Sequence, residues 1–195
     1  MKLSRILFSI ALFATISAAN AATVDTVETV SQAMNKKIKA VVITPENYSK
    51  GTAFPVVYLL HGYSGNYSQW TKIASASLQK TADQKKLIIV CPDGGFSSWY
   101  YDSPLDRNFK YETYIASELV GWVDKNYKTL RKPSGRAISG LSMGGHGALF
   151  LAIKHQDVFG AAGSMSGGVD IRPFPTRWEI SKGLGTYAEN PENWE

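Results

Sequence analysis

The run GRAISGLSMGGHGALFLAI, residues 135–153, passes from a short apolar stretch through clustered glycines into a second apolar stretch, with Ser142 at its centre. Gly140 and Gly144 stand two before and two after that serine, which satisfies G-x-S-x-G. A nucleophilic serine in this pattern sits on a strand-to-helix turn so tight that side chains two positions away would collide. The turn lifts the hydroxyl clear of the sheet and aims the amino end of the following helix at it, where developing negative charge is favoured. The same five residues also fit an ordinary glycine-rich turn, so the surroundings must decide.

A serine hydroxyl is a poor nucleophile at neutral pH and needs a histidine, itself oriented by a carboxylate. The chain has three histidines, His61, His146 and His155. His61 closes an apolar run, where its ring is expected to bond to loop backbone. His146 is one turn into the helix and is expected to lean away from the space above the serine; His155 lies at the far end, roughly 20 Å off at the helical rise. Asp170 could serve as the acid, but with no histidine to orient. Two backbone amides are expected to hold an oxyanion, that of Met143 and that of Tyr63 in YLLHGYSG. Ser77 and Lys80 match S-x-x-K inside an ordinary helical pattern without its companion motifs. Dispersed histidines and one cysteine make no metal set, and Gly62, Gly65, Gly94 and Gly95 lack the spacing of a phosphate loop, so no metal and no cofactor is implied.

The elements that must position these groups read as strands over 23–30, 37–44, 54–60, 87–91, 135–139 and 159–164. Helices are expected over about 73–82, 110–127 and 143–154, the second with Ile115, Leu119, Trp122 and Val123 on one face. Apolar runs such as FPVVYLL belong to strands covered on both sides. Strand and helix alternate, which predicts an α/β fold: a mostly parallel sheet, helices on both faces and an antiparallel N-terminal edge. The loops at 61–65, 93–99 and 140–144 then fall at the carboxyl ends of strands and meet around one crevice. From residue 167 periodicity is lost; that stretch reads as a lid or excursion with a short helix near 178–182.

Residues 1–21 read as an export signal, with Lys2 and Arg5 ahead of an apolar core at 6–16 and Ala19-Asn20-Ala21 before the cut. A periplasmic or extracellular location is expected, without stable membrane insertion once the signal is removed. Residues 22–195 then suffice for one domain. The lone Cys91 permits no intrachain disulfide and reads as a buried strand cysteine. The formal net charge is +5, with lysines dispersed, so no nucleic-acid partner is expected. Asn47 and Asn66 open glycosylation sequons, a weak signal.

Taken together, FPVVYLLHGYSGNYSQW, IIVCPDGGFSSWYYDSP, YETYIASELVGWVDKNY and GRAISGLSMGGHGALFLAIKHQDVFGAAGSMSG resemble a family of esterases. That family includes esterase D (S-formylglutathione hydrolase), tributyrin esterase, secreted feruloyl and acetyl-xylan esterases and the antigen 85 mycolyltransferases. The resemblance implies an α/β-hydrolase with Ser142 as nucleophile, Met143 and Tyr63 as oxyanion donors, and Asp93, Trp99 and Tyr100 beside the crevice. Trp99 and Tyr100 can line an acyl or aryl pocket or pack their loop on the sheet. Family members find their acid and histidine further on than Glu195, so a partial domain is expected. The implied reaction is hydrolysis, through an acyl-enzyme, of small-molecule or polysaccharide-linked esters with short-chain acyl, acetyl-xylan or feruloyl character. The alternatives are an exported binding module holding carbohydrate or acyl groups, and an acyltransferase of the mycolyltransferase type.

Overall fold

The computed structural model describes residues 21–50 and 53–195; the expected export segment lies, but for its last residue, outside them. Six strands form one sheet in the order β1-β2-β4-β3-β5-β6. They are β1 (Thr23–Ser31), β2 (Lys36–Thr44), β3 (Val56–Leu60), β4 (Ile88–Pro92), β5 (Arg136–Leu141) and β6 (Ala161–Met165). β1 and β2 pair antiparallel, β2 joins β4 antiparallel, and β4, β3, β5 and β6 run parallel. The mixed sheet with its antiparallel start is the arrangement expected from the strand order, and it is that of the α/β-hydrolase fold the family resemblance implies.

Strand alternation divides the core into two layers. Val42, Val56, Tyr58, Val90 and Ile138 face one side, under the helical stretch over 111–126 and α4 (Met143–Lys154). Val41, Ile43, Leu59, Ile89 and Cys91 face the other and pack with Trp70 and Ala82 of α1 (Gln69–Lys85). The continuous apolar runs thus belong to strands buried on both faces. Burial pushes the Cys91 thiol up to about 12, so it stays protonated and unreactive at neutral pH.

Two helices depart from expectation. α1 is longer than the periodic stretch over 73–82, and Ala74 leaves helical geometry within it at φ −147°. The stretch expected as one helix over 110–127 is α2 (Tyr111–Thr113), a π-helical turn (Tyr114–Leu119) and α3 (Val120–Asn126). The wider turn lets consecutive Tyr114, Ile115 and Ala116 all bury against the sheet, which a uniform 3.6-residue period cannot do. Beyond β6 the chain crosses the carboxyl end of the sheet in a series of turns, with a short helix, α5 (Ser181–Leu184). Among the described residues no helix is long and apolar enough to cross a membrane.

Candidate active site

β3 and β5 lie side by side with Leu60 opposite Gly140, so the loops leaving them begin at the same level. Between β5 and α4 stands Ser142, with φ 55° and ψ −116°. L-residues rarely adopt that backbone, and the fold holds it by close contact. A Cβ on Gly140 would lie 2.3 Å from the Gly144 carbonyl oxygen, and one on Gly144 would lie 2.4 Å from that of Leu60. Only glycine fits at either place. The Ser142 amide donates to the Met165 carbonyl at 2.8 Å, and the Ser142 carbonyl accepts the His146 amide at 2.9 Å. Both hydrogen bonds pin the turn.

Ser142 lines a pocket of about 220 Å³ with Tyr63, Trp99, Ser166, Asp170, Phe174 and Trp178 among its walls. Met143 is the first residue of α4 and its amide has no partner within the helix. The Tyr63 amide has no acceptor among the described residues. Gly62, just before it, is close enough that a Cβ there would be 3.6 Å from the Ser142 Cβ. Two amides without acceptors among the described residues, one at the start of α4 and one in the loop after β3, therefore belong to residues beside the serine.

Backbone strain concentrates at this pocket. Among the described residues, nine non-glycine residues have positive φ, and Trp99, Ser142, Ser166 and Trp178 of these line it. Ser64, Tyr100 and Glu179 immediately follow lining residues, which leaves only Asn35 and Lys86, in a turn and a helix cap, elsewhere. Strained conformations persist where the surroundings over-determine them, and they gather at functional sites.

The pocket's outer wall is the 167–183 stretch, which was legible only as an aperiodic excursion. Side chains at every second position of the 97–103 loop hold it. Ser97 Oγ donates to Glu179 Oε2 at 2.9 Å, Trp99 Nε1 to the Trp178 carbonyl at 3.2 Å, Tyr101 OH to the Ile180 carbonyl at 2.9 Å and Ser103 Oγ to the Gly183 carbonyl at 2.6 Å. This ladder brings Phe174 and Trp178, 5.2 Å apart between ring centroids, over the serine beside Trp99. Neither Phe174, Trp178 nor Ser166 could be placed from the sequence; the aromatic, proline-broken composition of 171–178 was the available signal.

The other expected site residues take different places. Tyr100 is fully buried, donates its hydroxyl to the His61 carbonyl at 3.0 Å and packs beneath the loop, away from the pocket walls. Of the two readings for this residue, packing is the one its position matches. Asp93 accepts the Gly95 amide at 2.9 Å and shapes its own turn, also off the pocket. Burial raises its pKa, but backbone hydrogen bonds, that of the Gly95 amide among them, outweigh this and leave it below the usual carboxylate range.

All three histidines are engaged elsewhere. His61 Nδ1 bonds the Gly62 carbonyl and its Nε2 accepts the Gly94 amide, both at 2.8 Å. That tautomer leaves no proton on Nε2 for Asp93 Oδ1 at 3.8 Å, so the approach is not an ion pair. His146 Nδ1 bonds the Gly168 carbonyl at 2.7 Å, with the ring against Trp99 and Phe150. Burial holds it below the ordinary histidine value, the Gly168 bond opposing. His155 bonds Glu112 at 2.9 Å. Asp170 is on the pocket rim, but Arg172 grips both its oxygens and holds the carboxyl below its usual range. Among the described residues no cluster suited to a metal ion occurs.

A strained serine between a parallel strand and a helix, at the carboxyl edge of this sheet, defines an α/β-hydrolase. The chain belongs to the family described as "Putative esterase", whose model matches residues 31–195. It is 36% identical over 137 residues to Esterase Rv1288 of Mycobacterium tuberculosis, covering 67% of this chain and 29% of that protein. It is 40% identical over 131 residues to the diacylglycerol acyltransferase/mycolyltransferase Ag85A of the same species, covering 63% and 38%. Among solved structures it resembles a ferulic acid esterase with TM-score 0.73 and 29% identity, covering 89% of this chain and 69% of that one. An S-formylglutathione hydrolase from Agrobacterium tumefaciens, TM-score 0.74 at 19% identity over 91% of this chain and 70% of that one, shares the fold. The chain spans less than half the length of the curated relatives it matches.

Proposed function

We propose that this protein is a serine carboxylic-ester hydrolase. Ser142 Oγ attacks the ester carbonyl carbon, the carbonyl oxygen becomes an oxyanion between the Met143 and Tyr63 amides, and collapse expels the alcohol and leaves an acyl-enzyme. Water then attacks the acyl carbon and restores the serine. The observation that carries this reading is the left-handed Ser142 turn beneath a pocket with two unpartnered amides.

The proton that Ser142 gives up needs an acceptor, and the rings of His61, His146 and His155 are bonded elsewhere. It must therefore pass to a group other than these three histidines, and that group then protonates the departing alcohol oxygen and takes a proton from the attacking water in the second step. Trp99, Phe174 and Trp178 form an aromatic wall suited to the apolar part of an ester, including a feruloyl-type or short-chain acyl group. Asp93 and Tyr100 support the loop that carries Trp99. Export to the periplasm or the medium, inferred from residues 1–21, favours polysaccharide-linked esters as substrates. The 40% identity to a mycolyltransferase supports a second reading in which an alcohol, rather than water, takes the acyl group.

The test is turnover of a chromogenic short-chain ester and covalent labelling by a fluorophosphonate. Labelling on Ser142, with turnover falling at least about a thousandfold in Ser142→Ala, is expected. Equal, near-zero turnover and no labelling in the parent protein would transfer the assignment to a binding module.

A further inference from the structure

One strained residue of the pocket has no part in attack, oxyanion binding or the aromatic wall. Ser166 directly follows β6, is exposed, holds φ at 51° and lines the pocket with Ser142. Its hydroxyl has no hydrogen-bond partner among the described residues, whereas the Ser142 amide is tied to the preceding Met165 carbonyl at 2.8 Å. The next residue locks it in place: a Cβ on Gly167 would lie 2.3 Å from Ser164 Oγ and 2.6 Å from the Gly145 carbonyl carbon. A side chain at 167 is therefore excluded, and the close packing of this backbone on the start of α4 keeps Ser166 in the pocket wall.

Its position relative to Ser142 gives it a task. In the sheet, β5 separates β3 from β6, so Tyr63 and Ser166 stand on opposite flanks of the serine. The β3 flank takes the carbonyl oxygen. The aromatic side chains take the apolar part of the ester. What remains on the β6 flank, besides Ile171, is polar: Ser166, the Gly167–Gly168 backbone and Asp170.

We propose that Ser166 is a specificity-determining residue whose hydroxyl donates a hydrogen bond to a hydroxyl or ether oxygen on the alcohol part of the bound ester. This rests on the reading of Ser142 as nucleophile and assigns to Ser166 the recognition of a hydroxylated alcohol, as in glycerol or sugars. A serine held in left-handed geometry with an unpartnered hydroxyl gains nothing within the protein that glycine would not supply with less strain.

The experiment uses the full chain in a Ser142→Ala background, which separates binding from turnover. Dissociation constants are measured through tryptophan fluorescence for 2-hydroxyethyl benzoate and for ethyl benzoate, which lacks the terminal hydroxyl. Ser166→Ala and Ser166→Gly are expected to weaken the hydroxylated ester about fivefold, the effect of one hydrogen bond, and to change the other less than about twofold. Ser166→Gly is also expected to raise Tm by about 2–4 °C through relief of strain. Equal changes for both esters, no change for either, or failure of the Ser142→Ala protein to bind the hydroxylated ester overturns the proposal, whatever Tm does. Fluorophosphonate labelling of Ser142 in the parent protein tests the nucleophile reading separately.

Discussion

The sheet and the loops at its carboxyl edge are built on opposite terms. Within β3 and β4 nearly every side chain is buried and apolar, and among the described residues all nine non-glycine residues with positive φ lie outside the strands. Beyond the strand ends, four such residues line one small pocket and three more directly follow lining residues. Burial of the strands stabilises the whole and lets the rim hold conformations that would relax in isolation. Stability is contributed by one region and spent in the other.

That contrast can be broken most severely where the two regions touch. Gly144→Ala places a Cβ 2.4 Å from the Leu60 carbonyl oxygen and 2.6 Å from that of His61, both backbone atoms of the β3 end. Something in the sheet or the elbow must shift, and a loss of about 3 kcal/mol or more is expected in urea unfolding, together with lost Ser142 labelling. A retained midpoint would mean that the elbow is not wedged against the sheet.

A smaller change sharpens the boundary between support and pocket. Tyr100→Phe removes the hydroxyl that satisfies the buried His61 carbonyl and is expected to cost about 1–2 kcal/mol. Because the ring is off the pocket walls, ligand affinity should hold; an affinity loss without destabilisation would put Tyr100 in the site itself.

The smallest effect concerns pH. His146 is held below its ordinary value of 6.5 by burial. Below that pH the unfolded chain takes up a proton that the folded ring declines, so stability should fall as pH drops below 6.5. The slope should flatten in His146→Gln, as measured by Tm against pH. An unchanged slope would show that the ring protonates freely in the folded state.

Particular residues mark how far the sequence could be read. The double-sided strands, the antiparallel edge and the Ser142 turn were legible because burial period and glycine spacing are local. His61 too was readable, since a histidine ending a buried strand has loop backbone on both sides. The break of the 111–126 helix into a π turn was not, because Tyr114, Ile115 and Ala116 show their common burial only once the sheet is present. Trp99 and Tyr100 are neighbours of like chemistry, yet one forms a pocket wall and the other lies beneath the loop; paired left-handed backbones send them to different places.

The amino-acid sequence by itself determined the α/β sheet and the serine elbow, since both follow from hydrophobic period and from where a side chain must be absent. Only the tertiary structure decided what surrounds the serine. The ladder from Ser97, Trp99, Tyr101 and Ser103 reaches about 80 residues along the chain to seat Trp178 and Phe174. Ser166 enters the pocket because β6 lies beside β5. Contacts of that range leave no periodicity, because their partners meet only after the chain has folded.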